Sequence, residues 1–240
     1  MDRNRSVESY LFASDKERVV ERVTAMGQTI ISALNNSMMT FVNYDEALVK
    51  EIIDGDSEIN SSDEEIDLEC LRSIAMRQPV REELRFIFAV LKITTDLERI
   101  GDHAVNIVRQ AESLGKRANT EADSMLADML DVAAAMLRDA LLALKTSDGS
   151  SSEEICRRDE QLDIMYEKLT SNLTDLAASH NTKDLGVMRV IFAQMMVARD
   201  LERVGDHCTN IAERVYFMDK GKSLAKDLET RAMSNTTPKV

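Results

Sequence analysis

Apolar residues recur along the chain with the spacing of a helix. Between positions 93 and 108 they follow one another at intervals of three or four residues: Ile93, Leu97, Ile100, Ala104 and Val108. On a helix that turns about 100° per residue these positions share one arc and form a stripe that can face a core. Turn-forming residues are scarce, with 8 Gly and 2 Pro in 240 residues. The pattern predicts an all-α protein.

Breaker residues divide this pattern into six long helices. We predict them at residues 14–40, 44–77, 79–114, 120–145, 150–180 and 182–218. Pro79 suits the first turn of the third helix, and the serine-rich run at 147–152 gives a loop followed by capping residues. At about 1.5 Å per residue, the third helix would be roughly 54 Å long. Helices of that length are typical of bundles.

A block of twelve residues occurs twice. Asp-Leu-Glu-Arg-Ile-Gly-Asp-His-Ala-Val-Asn-Ile begins at Asp96, and nine of its twelve positions are identical in the block that begins at Asp200, an offset of 104. A tandem duplication explains this repeat. We therefore predict two three-helix bundles related by a pseudo-two-fold axis, the first at 1–118 and the second at 119–240 with a short polar C-terminal tail.

Charge and cysteine content narrow the range of functions. The net charge is −13 and the isoelectric point is near 4.8, which argues against a nucleic acid partner. Three widely separated cysteines fit neither a disulfide framework nor a thiolate zinc site, and they indicate a reducing compartment. No stretch approaches the roughly 18 apolar residues that a bilayer span requires. We expect a soluble, cytoplasmic protein that does not insert into a membrane.

Oxygen-bearing side chains form a second row on the third and sixth helices, away from the apolar stripe. Its members recur four residues apart in both copies, and the middle helices add pairs at the same spacing: Glu98, Asp102 and Asn106; Glu202, Asp206 and Asn210; Asp56 and Asn60; Asp159 and Asp163. Two carboxylates at this spacing cost a helix roughly 0.2–0.5 kcal/mol per pair. Oxygen-only ligands suit hard cations. We predict metal binding on an exposed acidic ridge in each copy.

The acidic rows and several neighbouring residues also have purely structural explanations. An acidic row on a helix can simply be a solvated face, and Arg99 and Arg203 can pair with aspartates three residues away. His103 and His207 lie off the apolar stripe, where they could complete a metal site or pair at the surface. Gly101 and Gly205 interrupt helices at a cost of about 1 kcal/mol, which indicates close approach of a neighbouring helix.

The repeated Asp-Leu-Glu-Arg-(Ile/Val)-Gly-Asp-x-x-x-Asn-Ile block resembles the motif of the PhoU family. The resemblance covers about residues 14–218 and includes both three-helix repeats. The segment 78–85 is similar to the family's Gln-Pro-x-x-x-Asp-Leu-Arg, with Glu83 in place of the aspartate. The corresponding segment of the second copy, 180–186, departs from this pattern.

The resemblance implies two PhoU bundles side by side, with multinuclear iron or zinc sites on Glu/Asp-x-x-x-Asp motifs. Transferred position by position, it implicates these residues as ligands: Glu98, Asp102, Glu202, Asp206, Asp159 and Asp163. Asn60 stands where the family pattern has a carboxylate. The resemblance also implies a regulator, not a catalyst, that links a phosphate ABC transporter, through its ATPase subunit, to a sensor histidine kinase and represses the phosphate-starvation response. We expect a homodimer.

Two other classes of function compete with this interpretation. A ferritin-like metal store or enzyme needs Glu-x-x-His pairs, yet the residues three before the histidines are Ile100, Ala177 and Val204. A plain helical scaffold with solvated acidic rows is the other alternative. The chain contains no phosphate-binding loop, nucleophile elbow or kinase signature, so we predict that it is not an enzyme.

Overall fold

The computed structural model describes residues 2–179 and 184–236, with side chains for 11–179 and 184–231. Its helices are α1 (Asp2–Val42), α2 (Glu46–Arg77), α3 (Glu82–Leu114), α4 (Glu121–Thr146), α5 (Ser152–Ser179), α6 (Leu185–Lys220) and α7 (Leu224–Thr236), with a 3₁₀ turn at Gly149–Ser151. No strand occurs in these described residues. The prediction of an all-α chain with six long helices is confirmed.

The turn between α2 and α3 differs from its prediction. Gln78 adopts the left-handed conformation, with φ at 49°, and its backbone N–H donates to the carbonyl of Ile74. Arg81 also has a positive φ, 53°. Because these two residues reverse the chain, Pro79 lies in the turn, and α3 begins at Glu82. Placing Pro79 in the first turn of α3 was wrong.

The chain ends carry more helix than the sequence pattern predicted. Helix α1 begins at Asp2 and not at residue 14. Residues 224–236 of the predicted polar tail form a helix, α7. Leu224 is buried, and the buried Asp227 accepts a hydrogen bond from Tyr216 on α6. The predicted end of the fifth helix at 180 and start of the sixth at 182 lie outside the described residues.

Two three-helix bundles lie side by side. The first consists of α1, α2 and α3, the second of α4, α5 and α6, and they meet through α3 against α6 and α1 against α4. The predicted boundary at 118–119 falls in the loop between α3 and α4. The bundles do not have separate cores, because buried side chains of all six helices form one continuous cluster.

A buried ion pair closes the junction between the bundles. Arg117 donates to both carboxylate oxygens of Asp123, at 2.7 and 2.8 Å, and its guanidinium lies 4.7 Å from the ring centroid of Phe41. Gln194 on α6 donates to the same carboxylate. Burial alone would raise the pKa of Asp123, but hydrogen bonds from Arg117, Thr120 and Gln194 hold it below its ordinary value. This network fixes the start of α4 against both bundles.

Gly101 on α3 and Gly205 on α6 allow α2 and α5 to approach these helices closely, as the positions of the two glycines in the sequence predicted. A methyl group on Gly101 would lie 3.2 Å from Cδ1 of Ile59 on α2. On Gly205 it would lie 2.6 Å from both Oδ1 of Asp159 and Cδ2 of Leu162 on α5. Separations under 3 Å between such atoms are repulsive, so only glycine permits the observed spacing of α5 and α6.

We expect Gly205→Ala to lower the free energy of unfolding by about 1–3 kcal/mol, because the new methyl group overlaps the fully buried Leu162. Gly55→Ala is the matched control, since nothing lies within 4 Å of its added carbon atom. That substitution should stabilise α2 by up to about 1 kcal/mol. Urea unfolding of both variants measures the difference. A Gly205→Ala variant as stable as Gly55→Ala would show that close approach is not the role of Gly205.

Candidate metal centre

Carboxylates of α2 and α3 face one another in a groove between these helices, here named the first carboxylate groove (Asp56, Glu98 and Asp102). Burial and then repulsion from Asp102 raise the pKa of Asp56 above its ordinary value. The same two effects raise the pKa of Glu98. Asn60, one turn from Asp56, donates from its amide to Oδ2 of that carboxylate at 3.3 Å. The groove therefore brings together three predicted carboxylate ligands of the first copy, from two helices.

The equivalent groove between α5 and α6 is more strongly acidic, and we name it the second carboxylate groove (Asp159, Asp163, Glu202 and Asp206). Burial first, then the charges of Asp163, Asp206 and Glu202, raise the pKa of Asp159 to about 6. Burial and repulsion from Asp206 also raise the pKa values of Asp163 and Glu202. The four carboxylates thus repel one another across the groove. A cation bound between them would remove this repulsion.

The prediction of an exposed ridge is wrong for the inner members of both grooves. The side chains of Glu98 and Glu202 are 24% and 17% exposed, and Asp56 and Asp159 are also partly buried. Only Asp163 and Asp206, at the rim of the second groove, are exposed. The reason is that α2 and α5 lie along the flanks of α3 and α6, where they cover the rows that a single helix would present to water.

Several polar atoms in the grooves are buried without a hydrogen-bond partner. In the first groove they are Oδ1 of Asp56 and, beside it, Oδ1 of Asn60. In the second groove it is Oε2 of Glu202, which lies 3.7 Å from Nε of Arg199. Buried oxygen atoms normally have partners, and a hard cation is one partner that oxygen-only groups accept. Within the described ranges no three acidic, histidine or cysteine side chains already converge as a ligand set. The donor chemistry fits a metal, and binding would require the side chains to turn toward it.

Arginines border both grooves. Arg99 lies 3.2 Å from Asp102 and 3.4 Å from Glu98. Its pairing with the aspartate three residues further along the chain is as predicted. In the second groove Arg199 lies 3.7 Å from Glu202, and Arg203 is exposed. These arginines offset only part of the acidic charge, because Arg99 and Arg199 are themselves about half exposed to solvent.

The histidines pair across the interface between the bundles, a feature we name the cross-bundle clasps. Nδ1 of His103 on α3 lies 2.8 Å from Oδ1 of Asp200 on α6. Nδ1 of His207 lies 2.8 Å from Oδ1 of Asp96, and the two rings are 5.8 Å apart. The expected pairing of the histidines is therefore found, but it is partly buried and joins opposite bundles. The reciprocity is that of a two-fold axis.

The asparagines of the acidic rows belong to these clasps as well. Asn106 donates to Asp200 at 3.5 Å, and Asn210 donates to Asp96 at 3.2 Å. The structure thus places Asn106 and Asn210 beside the clasps and not with the groove carboxylates. The sequence analysis did not identify Asp96 and Asp200 as interface residues. The available signal was that each is the first residue of its copy of the repeated block and that the two are identical.

Comparison with known proteins finds the same internal duplication. The PhoU domain family matches the chain twice, at residues 23–111 and 126–215. The phosphate-specific transport system accessory protein PhoU homolog of Clostridium acetobutylicum is 31% identical over 215 residues, which cover 89% of this chain and 96% of the relative. The phosphate-specific transport system accessory protein PhoU of Escherichia coli is 30% identical over 211 residues, covering 88% and 86%.

Solved structures share the fold over nearly their whole length. The phosphate transport system regulatory protein PhoU from Streptococcus pneumoniae aligns with a TM-score of 0.80 at 26% identity, over 89% of this chain and 99% of its own. PhoU from Pseudomonas aeruginosa aligns with a TM-score of 0.80 at 28% identity, over 88% and 100%. No helix in the described parts of our chain is long and apolar enough to cross a membrane. With both repeats matched in sequence and fold, the chain belongs to the PhoU family.

Proposed function

We propose that this protein is a non-enzymatic regulator of phosphate homeostasis, which represses the phosphate-starvation response and modulates high-affinity phosphate uptake. Its membership of the PhoU family carries the proposal, since relatives matched over most of their length are named as accessory proteins of phosphate-specific transport. The proposed site of action is the cytoplasmic side of a phosphate ABC transporter. There the protein acts as an adaptor between the ATPase subunit and a sensor histidine kinase.

The proposed adaptor docks through protein surfaces and not through lipid. At a net charge of −13 the chain has no electrostatic attraction to an anionic membrane, where basic clusters supply binding. Acidic grooves would instead attract basic patches on the ATPase subunit and the kinase. Such association weakens as salt rises. In this proposal the protein acts as a homodimer.

Metal binding in the two grooves is the second part of the proposal. Asp56, Glu98 and Asp102 would hold iron or zinc in the first groove, and Asp159, Asp163, Glu202 and Asp206 would hold it in the second. The buried groove oxygen atoms that lack hydrogen-bond partners and the raised carboxylate pKa values support this assignment. A bound cation would supply positive charge that neutralises the facing carboxylates and links α2 to α3, or α5 to α6.

A ferritin-like store fits the residues less well. Iron sites of that class place histidines among the ligands of a four-helix core. Here His103 and His207 bind aspartates of the opposite bundle through Nδ1. Neither groove contains a histidine among its facing carboxylates, so the proposal treats bound metal as structural or regulatory.

We expect Glu202→Ala with Asp206→Ala, or Glu98→Ala with Asp102→Ala, to reduce bound metal while the bundles stay folded, because these side chains lie outside the continuous core. Glu17→Ala with Glu21→Ala is the matched control, an exposed pair at the same spacing on α1. Metal analysis by mass spectrometry after gentle purification measures iron and zinc per chain. Equal metal in the groove variants and the control would leave the grooves as solvated acidic faces.

The raised pKa of Asp159, about 6, predicts a pH-dependent stability of the metal-free protein. Its folded-state pKa exceeds the unfolded value, so ionisation destabilises the fold above about pH 6, and the penalty disappears as pH falls toward 4. Asp159→Asn should therefore raise the free energy of unfolding by about 1 kcal/mol at pH 7.5 in chelator, after allowance for solvent screening.

The matched control for that experiment is Asp175→Asn, an exposed position on the same helix. Urea unfolding at pH 7.5 and at pH 4 should show a stabilisation for Asp159→Asn that shrinks with falling pH, and no change for Asp175→Asn. The same substitution should lower metal content. An Asp159→Asn variant less stable than wild type at pH 7.5 would mean that the carboxylate is paired and not repelled.

The regulatory proposal is tested most simply in a deletion strain. Without the protein, we expect phosphate-starvation genes to be expressed even in high phosphate, measured with a transcriptional reporter. A plasmid copy of the wild-type chain should restore repression. If the deletion strain represses the reporter normally in high phosphate, the protein is not a negative regulator of that response.

A further inference from the structure

The exposed side of α6 carries a row of apolar and basic side chains. Between residues 185 and 203, every exposed position of α6 except Gly186 is an apolar residue or an arginine. These positions follow one another at alternating intervals of four and three residues, and we name them the α6 stripe: Leu185, Arg189, Phe192, Met196, Arg199 and Arg203. Side chains with this spacing pack along a second helix in coiled coils. The α6 stripe is thus a helix-packing surface that faces solvent.

Phe192 lacks the aromatic partner that its counterpart in the first copy has. Phe88, which lies 104 residues earlier, packs edge to face against Phe217 of α6, with the ring centroids 6.3 Å apart. The same offset takes Phe217 to Ser113 on α3, which has no ring to offer Phe192. The exposed fraction is 65% for Phe192 and 47% for Phe88. The ring of Phe192 is therefore available to a partner.

The composition of the α6 stripe is that of a protein interface. Aromatic residues, methionine and arginine are enriched at such interfaces, while aspartate and glutamate are depleted. Leu185 and Met196 are exposed like Phe192, so three large apolar side chains of the stripe face solvent. The stripe contains no acidic residue, although the whole chain has 43 of them and a net charge of −13. An apolar and basic row on an acidic protein indicates a surface kept for a partner.

The arginines of the α6 stripe are largely unmatched by acids of their own chain. Within the part of the chain that the structure describes, neither Arg189 nor Arg203 forms a salt bridge. Arg199 lies 3.7 Å from Glu202, yet 46% of its side chain is exposed. Charge complementarity selects partners and fixes their orientation. The chemistry that complements the stripe is therefore acidic as well as apolar.

A second copy of the chain and a lipid surface fit the α6 stripe less well. A second stripe offers no carboxylate to the three arginines, so pairing stripe with stripe would bring like charges together. Anionic membranes attract clusters of about four to eight basic residues, and they repel acidic surfaces. A membrane would also come close to other parts of this chain, whose net charge is −13. A single helix would contact the stripe alone.

We propose that the α6 stripe is the docking surface for an acidic amphipathic helix of a partner protein. The apolar side chains of that helix pack on Phe192 and Met196. Its aspartate or glutamate side chains pair with the three arginines. The proposal rests on the proposed adaptor function and names a surface that this function requires. The carboxylate grooves attract basic patches, so the α6 stripe gives the adaptor a second surface of opposite charge.

The test measures binding of the full chain to the phosphate transporter and to the sensor kinase, each in nanodiscs that contain phosphatidylglycerol, by biolayer interferometry. Phe192→Ala should weaken binding to at least one of them at least about tenfold. Arg189→Glu should do the same, because it repels the acidic helix. Leu142→Ala and Arg138→Glu are the matched controls, an exposed apolar residue and an exposed arginine on α4, and should leave binding unchanged.

Hydrogen exchange of the complex identifies the partner segment. We expect protection of residues 185–203 and of a partner helix that carries aspartate or glutamate beside its apolar row. Protection of a basic partner segment would overturn the proposal. Because the substituted side chains are exposed, the variants should fold like the wild type, which circular dichroism checks.

The remaining outcomes separate the docking surface from the adaptor function. If the wild-type chain binds neither protein, both the adaptor function and the docking surface are overturned. If it binds and the stripe variants bind as tightly as the controls, the adaptor function stands and the α6 stripe is not its docking surface. Stripe-dependent binding to empty nanodiscs would show a lipid surface instead. A changed oligomeric state of Phe192→Ala in sedimentation velocity would show a contact between copies instead.

Discussion

The close approach of α5 to α6 and of α2 to α3 determines how each bundle packs and how its groove carboxylates are placed. Gly205 and Gly101 permit it, since a side chain at either position would meet the facing helix. The same approach forces carboxylates of facing helices into partly buried grooves, where their charges repel. The core supplies the free energy that holds them there, because the buried apolar side chains of all six helices form one cluster. Repulsion between these carboxylates therefore lowers the free energy of unfolding, and a bound cation would relieve that repulsion.

The grooves and the cross-bundle clasps are linked along the chain. His103 directly follows Asp102, and His207 directly follows Asp206. Each histidine holds an aspartate of the opposite bundle at 2.8 Å. A shift of α3 that turns Asp102 toward a bound cation therefore also moves a residue that contacts α6. The duplication makes the linkage reciprocal, so each groove is connected to the opposite bundle.

Much of the fold and part of the site could be predicted from the sequence. Periodicity and the repeated block were sufficient for the helices, the two bundles and the glycine contacts, because these depend on local spacing. The burial of Glu98 and Glu202 could not be predicted, since it depends on how α2 and α5 lie beside α3 and α6. The clasps required knowing that α3 and α6 pack together. Helix α7 was missed because its polar sequence is anchored by tertiary contacts of Leu224 and Asp227.

We propose that a metal ion binds between facing carboxylates of two helices in each bundle. Anomalous X-ray diffraction from crystals of the full chain grown with zinc, recorded on both sides of the zinc absorption edge, would locate it. We expect anomalous peaks between α2 and α3 and between α5 and α6, within coordination distance of Glu98 or Asp102 and of Glu202 or Asp206. Peaks confined to other surfaces, with both grooves free of anomalous density, would contradict it.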